Sequence, residues 1–280
     1  MKRFIVWILT LLLLTGCAGA LIQGIMAYKD EATVAERFGD TDYAAIGIEP
    51  ETWRMLLEEA GRDDALVEIL EHIEVYTEPL VKLAVTNKHA RDYVRAWWQN
   101  TDTDGKLQPE DIKLSAQDGV QLFTQWDARW GYGLYGGSPM GITGCGPTCL
   151  SMVAVALTGN TQLNPLYIAR MAEQSGYYVE GSGSSWDLMR AGSTSLGLSW
   201  REVPLSEWDM RSALDNGELI ICSMLPGDFT TSGHFIVLDG WSDSGFSVKD
   251  PNSIERSERR WSYDELAGQT AVIWAYSAAG

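Results

Sequence analysis

The chain has 280 residues, enough for one domain of ordinary size and a smaller companion. Its hydrophobic content of 45% with 10% aromatics supports a packed core and argues against global disorder. A net charge of −17 argues against nucleic acid as a partner, because phosphate binding needs clusters of Lys and Arg.

Four cysteines (Cys17, Cys145, Cys149 and Cys222) show neither a disulfide-rich nor a zinc-like spacing. The first of them closes an addressing segment. Lys2 and Arg3 precede an apolar run at residues 4–14, followed by Leu14-Thr15-Gly16-Cys17. A charged start and a short apolar run read as a secretory signal. Its end resembles a bacterial lipobox, whose cysteine is lipidated and becomes the new N-terminus. Residues 18–28 stay apolar apart from Gln23, so residues 4–28 are also long enough for an uncleaved membrane anchor. Both readings expect an extracytoplasmic chain held at the membrane, through lipidated Cys17 or an N-terminal helix, because the positive charges precede the apolar run.

Residues 29–119 read as a helical N-terminal region with an acidic linker. Leu66, Ile69, Leu70 and Ile73 recur at helical spacing, Leu80, Leu83 and Ala84 begin a second face, and a third candidate runs over about residues 89–99. A small bundle is expected, one that stands off the membrane, leans on the next domain or shields it as a pro-segment. His72 and His89 lie here in polar contexts and are expected at the surface. Residues 100–111 read as a linker turn, with a calcium loop as the alternative: Asn100, Asp102 and Asp104 precede Gly105, but Asp111 replaces the usual Glu and Pro109 disfavours a second helix.

From about residue 120 the texture changes, and residues 120–280 are expected to form the main domain. Residues 145–158 are apolar on nearly all sides and end before Gly159, so they read as a buried central helix, with Pro147 suited to its first turn. Strand-like runs follow at residues 219–224, 234–241, 246–249 and 271–276. A helix first and a sheet later indicate an α+β fold.

Chemistry gathers on the same elements. Cys145 opens the apolar helix, where unpaired backbone N–H groups and the helix dipole stabilise a thiolate. His234 opens one strand, Ser242-Asp243-Ser244-Gly245 supplies a turn, and Asp250 closes the next strand. That hairpin brings His234 and Asp250 together, so the carboxylate can fix the imidazole tautomer while the other ring nitrogen faces Cys145. His234 is also the only histidine after His89, so no other base is available to a Cys–His mechanism in this domain.

Taken together, Gln125-Trp126-Asp127-Ala128-Arg129-Trp130-Gly131, Gly144-Cys145-Gly146-Pro147-Thr148, Gly233-His234-Phe235-Ile236-Val237-Leu238 and Asp250-Pro251-Asn252 resemble the C39-like cysteine peptidases of the papain-like superfamily. The resemblance covers roughly residues 120–280. It implies a papain-like fold and hydrolysis of peptide or amide bonds in a peptide or protein substrate, without a cofactor. Cys145 would be the nucleophile, His234 the base and then the acid, and Asp250 the orienting group. The family glutamine maps to Gln125, whose amide would join the Cys145 backbone N–H in an oxyanion hole.

Other residues have plainer readings. Cys149, one turn below Cys145, and Cys222 are expected in the core, with a disulfide between them left open. Asp127 and Asn252 read as turn formers. Residues 179–186 and 226–233 either line the substrate cleft, with Trp186 and Phe229 as apolar walls, or form ordinary surface loops. A redox reading of Cys-Gly-Pro-Thr-Cys fails on spacing, because Thr148 sets the second thiol a full turn away. A non-catalytic binding module and a wall amidase or acyltransferase remain the alternatives to a peptidase.

Overall fold

The computed structural model describes residues 32–101, 106–115 and 117–280. The apolar segment at residues 4–28, with Cys17, lies outside them, as does the centre of the acidic turn at residues 102–105. No helix among the described residues is long and apolar enough to cross a membrane. They also hold no group of three or more His, Cys, Asp or Glu side chains placed to bind a metal ion. The chain divides between Trp98 and Gln99 into two compact units.

The first unit is helical: α1 (Pro50–Ala60), α2 (Asp64–Glu71), α3 (Glu78–Thr86) and α4 (Arg91–Arg95). The helical periodicity is explained by burial, since Leu56, Leu66, Ile69, Leu80 and Val94 are fully enclosed. Asp63 caps α2 by accepting from the Ala65 N–H at 2.9 Å. Its other oxygen takes Arg91 Nη1 at 2.7 Å, tying α4 to the start of α2. The expected third helix is broken: Lys88–Ala90 and Ala96–Gln99 are 3₁₀ turns on either side of α4. Tight turns of this kind satisfy the end groups of so short a helix. His89 is exposed, and His72 stacks on Trp98 with ring centroids 4.1 Å apart.

The second unit is built on a six-stranded antiparallel sheet, with the strands β1 (Leu198–Glu202), β2 (Leu219–Met224), β3 (His234–Ser242), β4 (Gly245–Lys249), β5 (Arg260–Trp261) and β6 (Thr270–Ala278). Their order across the sheet is β1-β6-β2-β3-β4-β5. One face packs on α5 (Cys145–Thr158), against which α6 (Pro165–Gln174) lies in turn, in a core that holds Leu150, Val153, Ile168, Phe235, Val237 and Trp274. The opposite face packs on α7 (Glu207–Asp215) through Met210, Ala213, Ile220, Ile236, Leu238 and Phe246. The alternation of Phe235 and Val237 with Ile236 and Leu238 is the period of a strand covered on both sides. Residues ahead of the sheet belong to the same body, since Ile112 and Leu114 are buried in the helix-side core.

Helix α5 is the buried central helix expected of residues 145–158. It ends at Gly159 in the left-handed conformation (φ 70°), a backbone state that glycine adopts without strain. The architecture is the expected α+β arrangement, a buried helix followed by an antiparallel sheet.

Candidate active site

Cys145 is the first residue of α5, preceded by Gly144. Gly146, the next residue, lets another segment approach the start of this helix closely. A Cβ on Gly146 would lie 2.3 Å from Ser184 Oγ and 2.7 Å from Ser184 Cβ. Ser184 is held in turn by Tyr135, the two hydroxyls being 2.9 Å apart in the core. Cys145 itself is partly exposed, whereas Cys149 and Cys222 are buried.

His234 heads β3, opposite Met224 at the end of β2. Its Nε2 lies 2.7 Å from Asp250 Oδ1. The other ring nitrogen, Nδ1, is left for Cys145, whose side chain interacts with the imidazole. Burial pushes His234 down, but the charge of Asp250, the bond to it and the contact with Cys145 outweigh burial and raise the imidazole from 6.5 to about 10.

Asp250 follows β4 directly and is completely buried. Three donors meet its carboxylate. His234 and the Asn252 backbone N–H, at 2.8 Å, share Oδ1, while Arg256 Nε donates to Oδ2 at 2.5 Å. Burial pushes this carboxyl up, yet the His234 and Arg256 charges and the Asn252 N–H hold it below the usual carboxylate range. Arg256 lies on the short helix Ile254–Glu258, where Ser253 caps by accepting from the Arg256 N–H at 3.1 Å.

Gln125 is attached to the Asp250 loop by its backbone, its N–H donating to the Pro251 carbonyl at 2.7 Å. The neighbouring Trp126 indole donates to the Asn252 carbonyl at 3.4 Å. The Gln125 side chain reaches the turn before Cys145, with Nε2 donating to the Gly141 and Ile142 carbonyls at 2.9 and 3.1 Å. Its Oε1 is buried without a hydrogen-bond partner.

Gln125, Cys145, His234 and Asp250 therefore converge from four separate stretches of chain. Arg256 was not legible as a partner of Asp250. A Ser-x-x-Arg cap predicts a helix start but says nothing of what the arginine reaches. Asn252 does more than form a turn, because its N–H binds the buried carboxylate. Asp127 is the expected turn former, accepting from the Arg129 N–H at 2.9 Å.

The other two thiols among the described residues pack in the core. Cys149 donates to the Phe235 carbonyl at 3.2 Å on the helix side of the sheet, while Cys222 packs in the opposite core. Both are free, the sheet standing between them. Burial pushes the Cys222 thiol up to about 12 and also holds the Cys149 thiol well above the ordinary range. Of the two expected cleft walls, Phe229 is buried against Trp261, with ring centroids 4.3 Å apart. Trp186 keeps 44% of its surface exposed, and its Nε1 donates to Ser223 Oγ at 3.2 Å, one residue before the partner of His234 on β2.

The family model described as the Peptidase_C39 like family matches residues 117–279, which includes all four converging residues. The chain belongs to that family. Among solved structures, this C39-like chain is similar to the peptidase domain of Streptococcus ComA, a bifunctional ABC transporter involved in a quorum-sensing pathway. The two are 16% identical over 57% of this chain and 99% of that one, with a TM-score of 0.42. It is also similar to a putative C39-like peptidase from Bacillus anthracis, at 13% identity over 49% of this chain and 90% of that one, with a TM-score of 0.32. No curated protein matches the chain.

Proposed function

We propose that this C39-like protein is a cysteine peptidase that works outside the cytoplasm while held at a membrane. The observation that carries the catalytic part is the His234 ring, placed between the Asp250 carboxylate and the Cys145 thiol.

In this reading the thiol proton rests on His234 Nδ1, and the Cys145 sulfur attacks the scissile carbonyl carbon. The imidazolium then gives its proton to the leaving amine as the C–N bond breaks, leaving an acyl-enzyme. His234 next takes a proton from water, whose oxygen attacks the thioester, and returns it to the sulfur as the acid product leaves. Asp250 keeps Nε2 protonated and the ring oriented throughout.

The negative oxygen of each tetrahedral intermediate would be met by the Cys145 backbone N–H at the start of α5 and by Gln125 Nε2. The Gln125 amide now donates to two carbonyls, so this role requires it to exchange one of them for the substrate oxygen. Its hold on the turn that precedes Cys145 supports the assignment, because the same contact fixes the nucleophile relative to the donor.

Attachment rests on sequence alone: Lys2, Arg3, the apolar run and Leu14-Thr15-Gly16-Cys17 support a lipidated Cys17, with an N-terminal membrane helix as the other means. Turnover of unfolded casein, compared between wild type and Cys145→Ala, tests the function. Release of peptides by wild type alone is expected. Turnover of peptidoglycan fragments in place of casein would keep the nucleophile and reassign the substrate. No turnover of either would favour a binding module.

A further inference from the structure

Helix α7 carries an unusual outer face. Its inner side, Met210 and Ala213, is buried against the sheet. Trp208, Arg211, Ser212 and Asp215 recur at i, i+3, i+4 and i+7, which puts them on one stripe. Trp208 is 75% exposed, a large indole with no role in the core.

With Asn216 and Trp241 of β3, this stripe lines a surface cavity of about 310 Å³. That is at the lower end of the range of small-ligand sites, roughly 300–1,000 Å³. One wall is fixed in place. Trp241 Nε1 donates to Asp215 Oδ1 at 2.8 Å, and the Arg211 guanidinium covers the Trp241 ring at 4.3 Å. Arg211 also donates to Glu207 at 2.5 Å. The Trp241 face is therefore taken, while that of Trp208 is open. Among the described residues, the side chains of Ser212 and Asn216 make no hydrogen bond.

Charge and shape limit the occupant. A cationic ligand would meet the Arg211 guanidinium over Trp241 and would have only the Trp208 face to stack on. An anion would meet Asp215 and Glu207, which outnumber Arg211. A neutral molecule with one flat apolar face and hydroxyls at its edge suits an open indole bordered by a carboxylate, an amide and a hydroxyl. We propose that this groove binds a pyranose ring of a neutral glycan chain, stacked on Trp208 and hydrogen-bonded by Ser212, Asp215 and Asn216. The site is separate from the Cys145–His234 pair and does not depend on the peptidase reading.

Calorimetric titration of the whole protein with the tetramer of N-acetylglucosamine, with cellotetraose and with choline tests this. Saturable binding of at least one tetramer is expected. Trp208→Ala should weaken it by about tenfold or more, and Trp208→Phe by less, since a smaller ring still stacks. Iodoacetamide labelling of Cys145 should be unchanged in both variants, which establishes that they fold. The proposal is overturned by binding of neither tetramer, by binding that Trp208→Ala leaves intact, or by binding of choline alone.

Discussion

His234 and Asp250 lie on the same face of the sheet, 2.7 Å apart, because β3 contains one bulged residue. Ser242 pairs with Gly245 and Gly240 with Ser247, but Leu238 pairs with Val248, leaving Asp239 as the extra residue. Counted from the turn without a bulge, Leu238 would meet Lys249 and Asp250 would stand opposite Val237, on the helix-side face. With the bulge, Asp250 continues the row of Phe246 and Val248, and His234 heads the row of Ile236 and Leu238.

The Asp250 carboxylate serves two neighbours, and its variants should separate them. Asp250→Ala removes the acceptor for His234 Nε2 and should lower peptidase turnover by about 10²- to 10⁴-fold. Asp250→Asn keeps an oxygen for the ring and should retain more activity than the alanine variant. Equal losses in kcat/KM for the two variants would show that orientation of His234 is not what Asp250 supplies.

Arg256 acts on the ring only through Asp250. Arg256→Met removes a charge-assisted bond from a buried carboxylate and should cost roughly 2 kcal/mol of stability, the partial exposure of the arginine moderating the loss. Activity should fall less than in Asp250→Ala, because the His234–Asp250 contact remains. Chemical denaturation and turnover of the two variants check the order.

The pH dependence of stability follows from the signs of the two shifts. His234 is raised, so its contribution is complete below about 6.5 and is lost as the pH rises through about 10. Asp250 is lowered, so its contribution is present above the ordinary carboxylate value and is lost as the pH falls through its value in the folded protein. The Tm advantage of wild type over His234→Gln should therefore be greatest near pH 5–6 and narrow between about 6.5 and 10. A difference that stays constant over that interval would contradict the assignment.

Gly146 permits the approach of Ser184 to the nucleophile helix. Gly146→Ala places a methyl group 2.3 Å from Ser184 Oγ and should destabilise the protein by about 1–3 kcal/mol. Adding Ser184→Gly removes the clashing atoms and should recover part of that loss. Denaturation of the single and double variants measures the coupling.

Much of this site was legible because its residues mark the ends of strong local signals. Cys145 begins an apolar run that closes at Gly159, and His234 and Asp250 bracket a short turn. Less was legible where tertiary contact decides. Helix α6 begins at Pro165 with Asn164 accepting from the Tyr167 N–H at 3.0 Å, and α7 with Ser206 accepting from the Asp209 N–H at 3.1 Å. Both caps are present in the sequence, but neither segment has the continuous apolar run that made α5 stand out. Strand β1 is exposed over most of its length and is held by pairing with β6, so it lacks an apolar alternation. The Arg256–Asp250 bond joins residues six apart across a turn, and no periodicity encodes such a contact.

The most direct test of the central claim is the rate at which iodoacetamide labels each cysteine at pH 6, mapped by mass spectrometry in wild type and His234→Ala. An activated thiolate–imidazolium pair predicts rapid labelling of Cys145 in wild type, a large loss of that rate in His234→Ala, and no labelling of buried Cys149 or Cys222 in either. Cys145 labelling that is equally slow in both proteins would contradict the pair and, with it, the assignment of this protein as a cysteine peptidase.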